Sequence, residues 1–421
     1  MPDALTPIEA RVAGAIDEPA LLRDLAALVA LRTCDGRESP AQRWVEGALR
    51  ALGCHVDAWT IDLAAMSRHP SCSSEIARTE ALGVVGWIGA ADGPTLVLNG
   101  HVDVVPAGDE TNWHYPPWEA TVADGRVYGR GALDMKGGLC CALAAVRAIV
   151  EAGVGLRGRL MVQSVVAEED GGLGTLATVV RGHVGDAAIV MEPTELAVAP
   201  AQAGALNFRI TVAGRSAHGA MREEGVSAFD KFLPVHEALV ALEARRHAMR
   251  HQPLYARYRL PNAITVGTVR AGNWASNVPE SLVCEGRYGV AVGEQVDTAR
   301  LELEHAVRAA AEGDTWLRDH PPVVEWWGGQ FAPAAIPTDH PLVRTVADAF
   351  RATSGEPARI EGMTYGADMR LLVNEGGTPT VLFGPGDIRH AHRPDEFVPI
   401  ADLRRVARTL AVTALRFCGV R

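Results

Sequence analysis

The chain has no Cys-x-x-Cys pair, no surplus of basic residues, no apolar run of membrane length and no internal repeat or low-complexity segment. Its seven cysteines, Cys34, Cys54, Cys72, Cys140, Cys141, Cys284 and Cys418, are odd in number and scattered. Neither a disulfide framework nor a thiolate zinc site is indicated, and a reducing cytoplasm fits best. Lys and Arg total 40 against 51 Asp and Glu, a formal charge of −11, with no basic stripe interleaved with aromatics. Nucleic acid and anionic membranes are therefore not expected partners. Met1 through Ala30 carries Asp3, Glu9, Asp17, Glu18 and Asp24, unlike a signal segment. Leu139 to Val150 is the most apolar type of stretch and falls short of the roughly 20 residues that a bilayer requires. No Gly-x-Ser-x-Gly setting surrounds Ser73 or Ser74, and Cys140-Cys141 lies inside an apolar helical run, so none of them reads as a nucleophile.

What is present is an ordinary globular composition, 48% hydrophobic and 22% charged, over 421 residues. Single cores stop growing near roughly 250–300 residues, so two domains are expected. Leu21 to Leu31 and Ser39 to Leu52 show helical spacing, and Thr95 to Asn99 is a short apolar strand. Gly137 to Ala152 follows as a helix, with strands at Leu160 to Val166 and Ala187 to Met191. This alternation predicts an α/β domain with a mostly parallel sheet, whose ligands bind beyond the carboxyl ends of its strands.

From Gly204 the order changes to a strand (Leu206 to Val212), a helix (Gly225 to Arg246), two strands (Ala263 to Arg270, Ser281 to Gly289), a helix (Gln295 to Ala311) and a strand (Val323 to Trp327). This βαββαβ order predicts an α+β insertion at 204–329, a lid, between the two parts of a discontinuous catalytic domain at 1–203 and 330–421. Leu342 to Ser354, Thr380 to Gly384 and Asp402 to Phe417 resume the first alternation.

The strand ends carry the chemistry. His101 and Asp103 follow the first strand, Glu168-Glu169-Asp170 the second, Glu192 the third, and His392 lies in the loop after Thr380 to Gly384; Asp134 precedes the Gly137 helix. A lone loop histidine is usually solvated, and lone acids at such positions are often helix caps. Imidazoles and carboxylates converging from separate loops are instead the donor set of a pair of divalent ions with one bridging carboxylate. Adjacent carboxylates at Glu168-Glu169 repel each other unless a cation or a raised pKa relieves them.

Five segments resemble the signature blocks of one superfamily: Gly100-His101-Val102-Asp103, Gly129 through Gly138, Glu168-Glu169-Asp170-Gly171-Gly172, Met191-Glu192-Pro193-Thr194 and His392-Arg393-Pro394-Asp395-Glu396. The superfamily is the two-zinc metallopeptidases that include acetylornithine deacetylase, succinyl-diaminopimelate desuccinylase, aminoacylase and the glutamate carboxypeptidases. The resemblance implies that His101 and Glu192 bind one ion, that Glu169 and His392 bind the other, and that Asp134 bridges them. The ions would be zinc, with cobalt or manganese as alternatives. Asp103 would hydrogen-bond the His101 imidazole and fix its tautomer.

Glu168 is then left to act as general base and afterwards as acid toward the leaving nitrogen. Gly214 through Gly219 resembles the segment whose histidine, here His218, stabilises the oxyanion across a homodimer formed through the lid; a surface loop residue is the bland alternative. Asn277 and Arg287 resemble substrate-binding lid residues, although Arg287 lies two residues closer to Pro279 than the family spacing. Arg370 is a second candidate for clamping a carboxylate. The implied activity is hydrolysis of a small N-acylated amino acid by an acetylornithine deacetylase-like enzyme. A dipeptidase or exopeptidase, and a formyl- or carbamoyl-amide hydrolase, are the alternatives. A scaffolding protein that keeps the fold without turnover would have lost Glu168 or a metal ligand, and all are present.

Overall fold

The computed structural model describes residues 4–249 and 252–421; Met1 and Asp3 of the acidic N-terminal stretch lie outside the described residues. The chain divides into two compact units, one of Met1–Ala201, Ala335–Gly362 and Ala367–Arg421, the other of Gln202–Ala334 and Met363–Gly366.

The first unit is built on a mixed sheet whose centre is parallel. Its order runs His55–Thr60, Leu82–Gly89, Arg159–Val165, Thr95–His101, Ala187–Val190, Thr380–Leu382 and Val198–Gln202. The four middle strands pair in parallel, Leu96 facing Leu160 and Ala187, and Thr380 facing Ala188. Antiparallel pairings flank them at Leu82–Gly89 and at Leu382 against Ala199. Buried strands need apolar side chains on both faces, which is why Leu96, Val97 and Leu98 are consecutive and all fully buried. Because the central strands run the same way, their carboxyl ends lie along one edge of the sheet. The loops that begin at His101, Val166, Met191 and Phe383 all leave from that edge.

Helices cover the sheet. Gly137–Glu151 is buried along almost its whole length, Cys140 and Cys141 included, and packs against Ile400–Cys418. All seven cysteines are unpaired. The first helix, Pro7–Gly14, opens with a capping box in which the Thr6 hydroxyl accepts from Glu9 and the Glu9 carboxylate accepts from Thr6. Among the described residues no helix is long and apolar enough to cross a membrane.

The second unit is an antiparallel sheet in the order Ile264–Ala271, Ser281–Val290, Gly204–Ala213, Val323–Phe331, with helices Ala228–Met249 and Val296–Glu312. Leu206, Phe208, Ile210 and Val212 point to one face with the strand period of two and close a core with Phe232, Leu239, Leu303 and Val307. The unit reaches beyond 204–329 because the last strand continues to Phe331, opposite Ala205, and Ala203 donates to the Met363 carbonyl. Its first helix begins at Ala228 and not at Gly225, since Val226 is held by Arg215 in an isolated bridge.

Leu98→Ala should lower unfolding free energy by about 2–5 kcal/mol, because Leu98 is fully buried in the central strand. Val180→Ala, at a residue 54% exposed, should change it by less than about 0.5 kcal/mol. Urea unfolding of the two variants checks this, and equal losses would contradict the assigned core.

Candidate metal centre

Six side chains from five loops meet at the carboxyl edge of the first unit's sheet. His101 ends its strand fully buried, and its Nε2 lies 3.3 Å from Asp134 Oδ1 and 3.6 Å from Glu192 Oε1. His392, half exposed, places Nε2 3.3 Å from Asp134 Oδ2 and 3.1 Å from the Glu169 carboxylate. Asp134 thus turns one oxygen toward each imidazole. Ligand atoms of His101, Asp134 and Glu169 lie within 4.8 Å of one another, and so do those of His101, Glu168 and Glu192. Glu168 is therefore as near to the centre as the acids expected to be ligands.

The local backbone serves this convergence. Ala167 and His392 both adopt left-handed conformations, φ 61° and φ 60°, which non-glycine residues rarely take and which cluster where side chains must be aimed. Glu192 is seated by close approach: a Cβ on Gly138 would lie 2.2 Å from the Met191 carbonyl, and one on Gly384 2.3 Å from the Glu192 carbonyl. Asp134 sits in the turn Ala132–Lys136, one of whose peptides, Asp134–Met135, is cis.

That turn is held by Glu396, whose Oε1 accepts from the amides of Gly131 at 2.8 Å, Leu133 at 3.1 Å and Asp134 at 3.2 Å. Arg130 donates to the other oxygen of Glu396, both side chains being buried. The loop after Glu169 is held by Asp170. Its Oδ2 accepts from Ser74 Oγ, the amides of Glu75 and Ile76, and Arg78 Nη1, all within 3.1 Å. Arg130, Asp170 and Glu396 lie inside the motif blocks and Arg78 outside them, and no periodicity marked their roles.

The electrostatics are those of carboxylates crowded around two imidazoles. Burial opposes a charge on His101, yet Asp103, Asp134, Glu192 and Glu168 outweigh it and hold its pKa well above the ordinary value. Burial also opposes the His392 cation, but Asp134 and Glu169 push its pKa up to about 11. Asp134 is held low by the two imidazoles against its own burial. Glu168 and Glu192 are pushed well up by burial and by neighbouring carboxylates. Despite these neighbours, His101 Nε2 and Glu168 Oε1 are buried without a hydrogen-bond partner. Buried polar atoms left unpaired cost free energy, and divalent cations supply the charge and the bonds this donor set needs. The residues present fit metal ions.

Some expected contacts differ. His101 Nδ1 meets the backbone carbonyl of Asp103 at 2.9 Å, while the Asp103 carboxylate stands at 3.6 Å. The reason is that Asp103 Oδ2 accepts from the Glu169 amide, which draws the carboxylate toward the neighbouring loop. Arg370 is buried and its Nη2 donates 2.7 Å to the Gly171 carbonyl, so it supports the loop carrying Glu168 and Glu169. Asp368, which the sequence did not single out, is buried on a chain of bonds through Thr175 Oγ1 and Asn99 to Gln163. In the second unit, exposed His218 and Asn277 are paired by an isolated bridge, and His218 Nδ1 accepts from the Ala220 amide. Arg287 there donates to the Thr364 carbonyl at 2.9 Å.

Carboxylates and imidazoles gathered at the ends of parallel strands define a metal-dependent hydrolase. Residues 97–416 match the model of Peptidase family M20/M25/M40, and the chain belongs to that family, whose enzymes act on amide bonds. It is similar to N-formyl-4-amino-5-aminomethyl-2-methylpyrimidine deformylase of Bacillus subtilis (strain 168), 29% identical over 400 residues that cover 90% of this chain and 89% of the relative. A probable succinyl-diaminopimelate desuccinylase of Staphylococcus epidermidis is 26% identical over 333 residues, 72% of this chain and 79% of the relative. The solved di-peptidase Dug1p of Saccharomyces cerevisiae shares the fold with a TM-score of 0.78 at 15% identity, covering 97% of this chain and 98% of that one.

Because carboxylates push the pKa of both imidazoles up, that of His392 to about 11, incoming ions must displace protons from this centre. Metal uptake in weakly buffered solution should release protons, and metal affinity should fall as pH falls. Affinity that is independent of pH, with no proton release, would contradict this assignment.

Proposed function

We propose that this protein is a metal-dependent deacylase that hydrolyses the amide of a small N-acylated amine or amino acid. The observation that carries the reading is the placement of Asp134, with one carboxylate oxygen toward His101 and the other toward His392. In this reading Asp134 would be shared by two ions, with His101 and Glu192 holding one and Glu169 and His392 the other. Two divalent ions, zinc or alternatively cobalt or manganese, would supply polarisation of the scissile carbonyl and a more acidic attacking water.

The chain's own residues do the rest. Glu168, buried and held high in pKa by burial and by Glu192, takes the proton of the attacking water. It then delivers that proton to the amide nitrogen, which must be protonated before it leaves. Asp103 orients His101 through its backbone carbonyl. His218, whose Nδ1 is occupied by the Ala220 amide, keeps Nε2 for donation to the developing oxyanion. The second unit acts as lid and as the surface of a homodimer, and Asn277, Arg287 and Arg370 are assigned to substrate binding and its support.

Removal of formyl or succinyl groups is supported by the names of the two sequence relatives, which extend the range beyond the acetyl group of the acetylornithine deacetylase-like reading. The cytoplasm is the proposed location, on the strength of seven unpaired cysteines.

Glu168→Ala should keep its metal content and lose turnover by about 10²–10⁴-fold. Asp134→Ala should lose both metal and turnover. Elemental analysis together with amine release from N-formyl, N-acetyl and N-succinyl amines and from dipeptides checks this. Retained turnover in Glu168→Ala would remove the assigned base, and cleavage confined to dipeptides would replace the deacylase with a dipeptidase.

A further inference from the structure

Two residues outside the expected ligand set control how Asp134 is presented. The turn that carries it is closed by a bond from the Lys136 amide to the Gly131 carbonyl at 2.9 Å. Glu396 reaches this turn from the segment that also carries His392. Its backbone carbonyl accepts from the Gly129 amide at 2.9 Å, while one carboxylate oxygen gathers the amides of Gly131, Leu133 and Asp134. One side chain therefore joins the backbones of Asp134 and His392, whose facing atoms, Oδ2 and Nε2, stand 3.3 Å apart. Beside it, Asp395 Oδ1 accepts from the amides of His114 at 2.8 Å and Tyr115 at 3.1 Å, which fixes the segment a second time.

The other end of the turn is held by Lys136. This residue is fully buried, and its Nζ donates to the carbonyls of Leu28 and Leu31, each at 2.9 Å. Both carbonyls lie at the C-terminal end of the helix Glu18–Ala30, where the last carbonyls are short of helical partners and a cation is favoured.

We propose that Glu396 and Lys136 are positioning residues for the ion assigned to Asp134, Glu169 and His392. They hold the Asp134 carboxylate at the spacing from His392 that this ion requires. The inference rests on the reading of Asp134 as shared by two ions, and it specifies which of the two depends on residues that would touch neither.

The asymmetry follows from how each ligand is supported. Glu169 and Glu192 are like-charged neighbours of Asp134, so its carboxylate stays between the imidazoles only while the backbone beneath it is held. His101 is buried at a strand end, with Nδ1 bonded to the Asp103 carbonyl, and Glu192 is seated by the close approach of Gly138 and Gly384. Neither support passes through Glu396. His392 is half exposed in a loop, and the spacing of its ring from Asp134 depends on the Glu396 bonds.

Glu396→Ala removes both the acceptor of the three amides and the ion pair with Arg130. Glu396→Gln combined with Arg130→Met removes the ion pair and keeps an amide oxygen as acceptor. Calorimetric zinc titration of the metal-free proteins should show two ions in the wild type. One of them should bind about 10–100-fold more weakly in Glu396→Ala, and both should bind nearly as in the wild type in the double variant. With cobalt(II) in place of zinc, the absorption bands that Glu396→Ala loses should be those that His392→Ala loses. Lys136→Met leaves Glu396 in place and should weaken the same ion. Equal zinc binding by Glu396→Ala and the double variant, whether tight or weak, would overturn the proposal. If Glu396→Ala does not fold, wild-type affinity for both ions in Lys136→Met would overturn it. Wild-type protein that takes up a single ion would overturn the shared-ion reading itself.

Discussion

Repulsion among carboxylates crowded into one buried place is the constraint on which this structure turns. Asp134, Glu168, Glu169 and Glu192 converge within reach of two imidazoles, and burial makes each negative charge costly unless a cation offsets it. The two imidazoles stand among these acids, and the carboxylates push their pKa values up against burial. Divalent ions would offset it more fully, and Asp134 stands between the two imidazoles with one oxygen toward each.

The fold is arranged to hold that crowd in place. Parallel pairing puts the loops of four strands on one edge, and the Glu168-Glu169 loop and the turn that bears Asp134 are each anchored by a polar contact outside the cluster. Glu396 gathers three amides of the turn that bears Asp134, and Arg130 balances its charge. Asp170 ties the Glu168-Glu169 loop to the segment around Ser74 to Arg78. Glycines at 138 and 384 let backbone approach backbone around Glu192. Loss of any of these supports would act on the metal centre from a distance, because the acids repel and will part when a loop is released.

Much of this was legible in the amino-acid sequence, and the reasons are specific. Thr95 to Asn99 and Leu160 to Val166 are short apolar runs closed by polar residues, so both the buried strands and the groups at their ends could be read. The βαββαβ order of the second unit followed from periodicity alone. What could not be read depends on contacts between distant positions. Arg78 and Asp170 are 92 residues apart and lie in segments without periodicity. Arg370 resembles a surface residue at a helix start until the Gly171 carbonyl is brought over it. The choice of Asp103's carbonyl over its carboxylate as the partner of His101 depends on the position of the Glu169 amide, which no local pattern encodes. The start of the Ala228–Met249 helix was missed for a similar reason, since Val226 is taken by a bridge to Arg215.

The most direct test of the account is anomalous scattering from crystals of the zinc-loaded protein. It predicts two peaks, one near His101 and Glu192 and one near Glu169 and His392, with an Asp134 oxygen bound to each. Peaks elsewhere, or ions that do not touch Asp134, would contradict it.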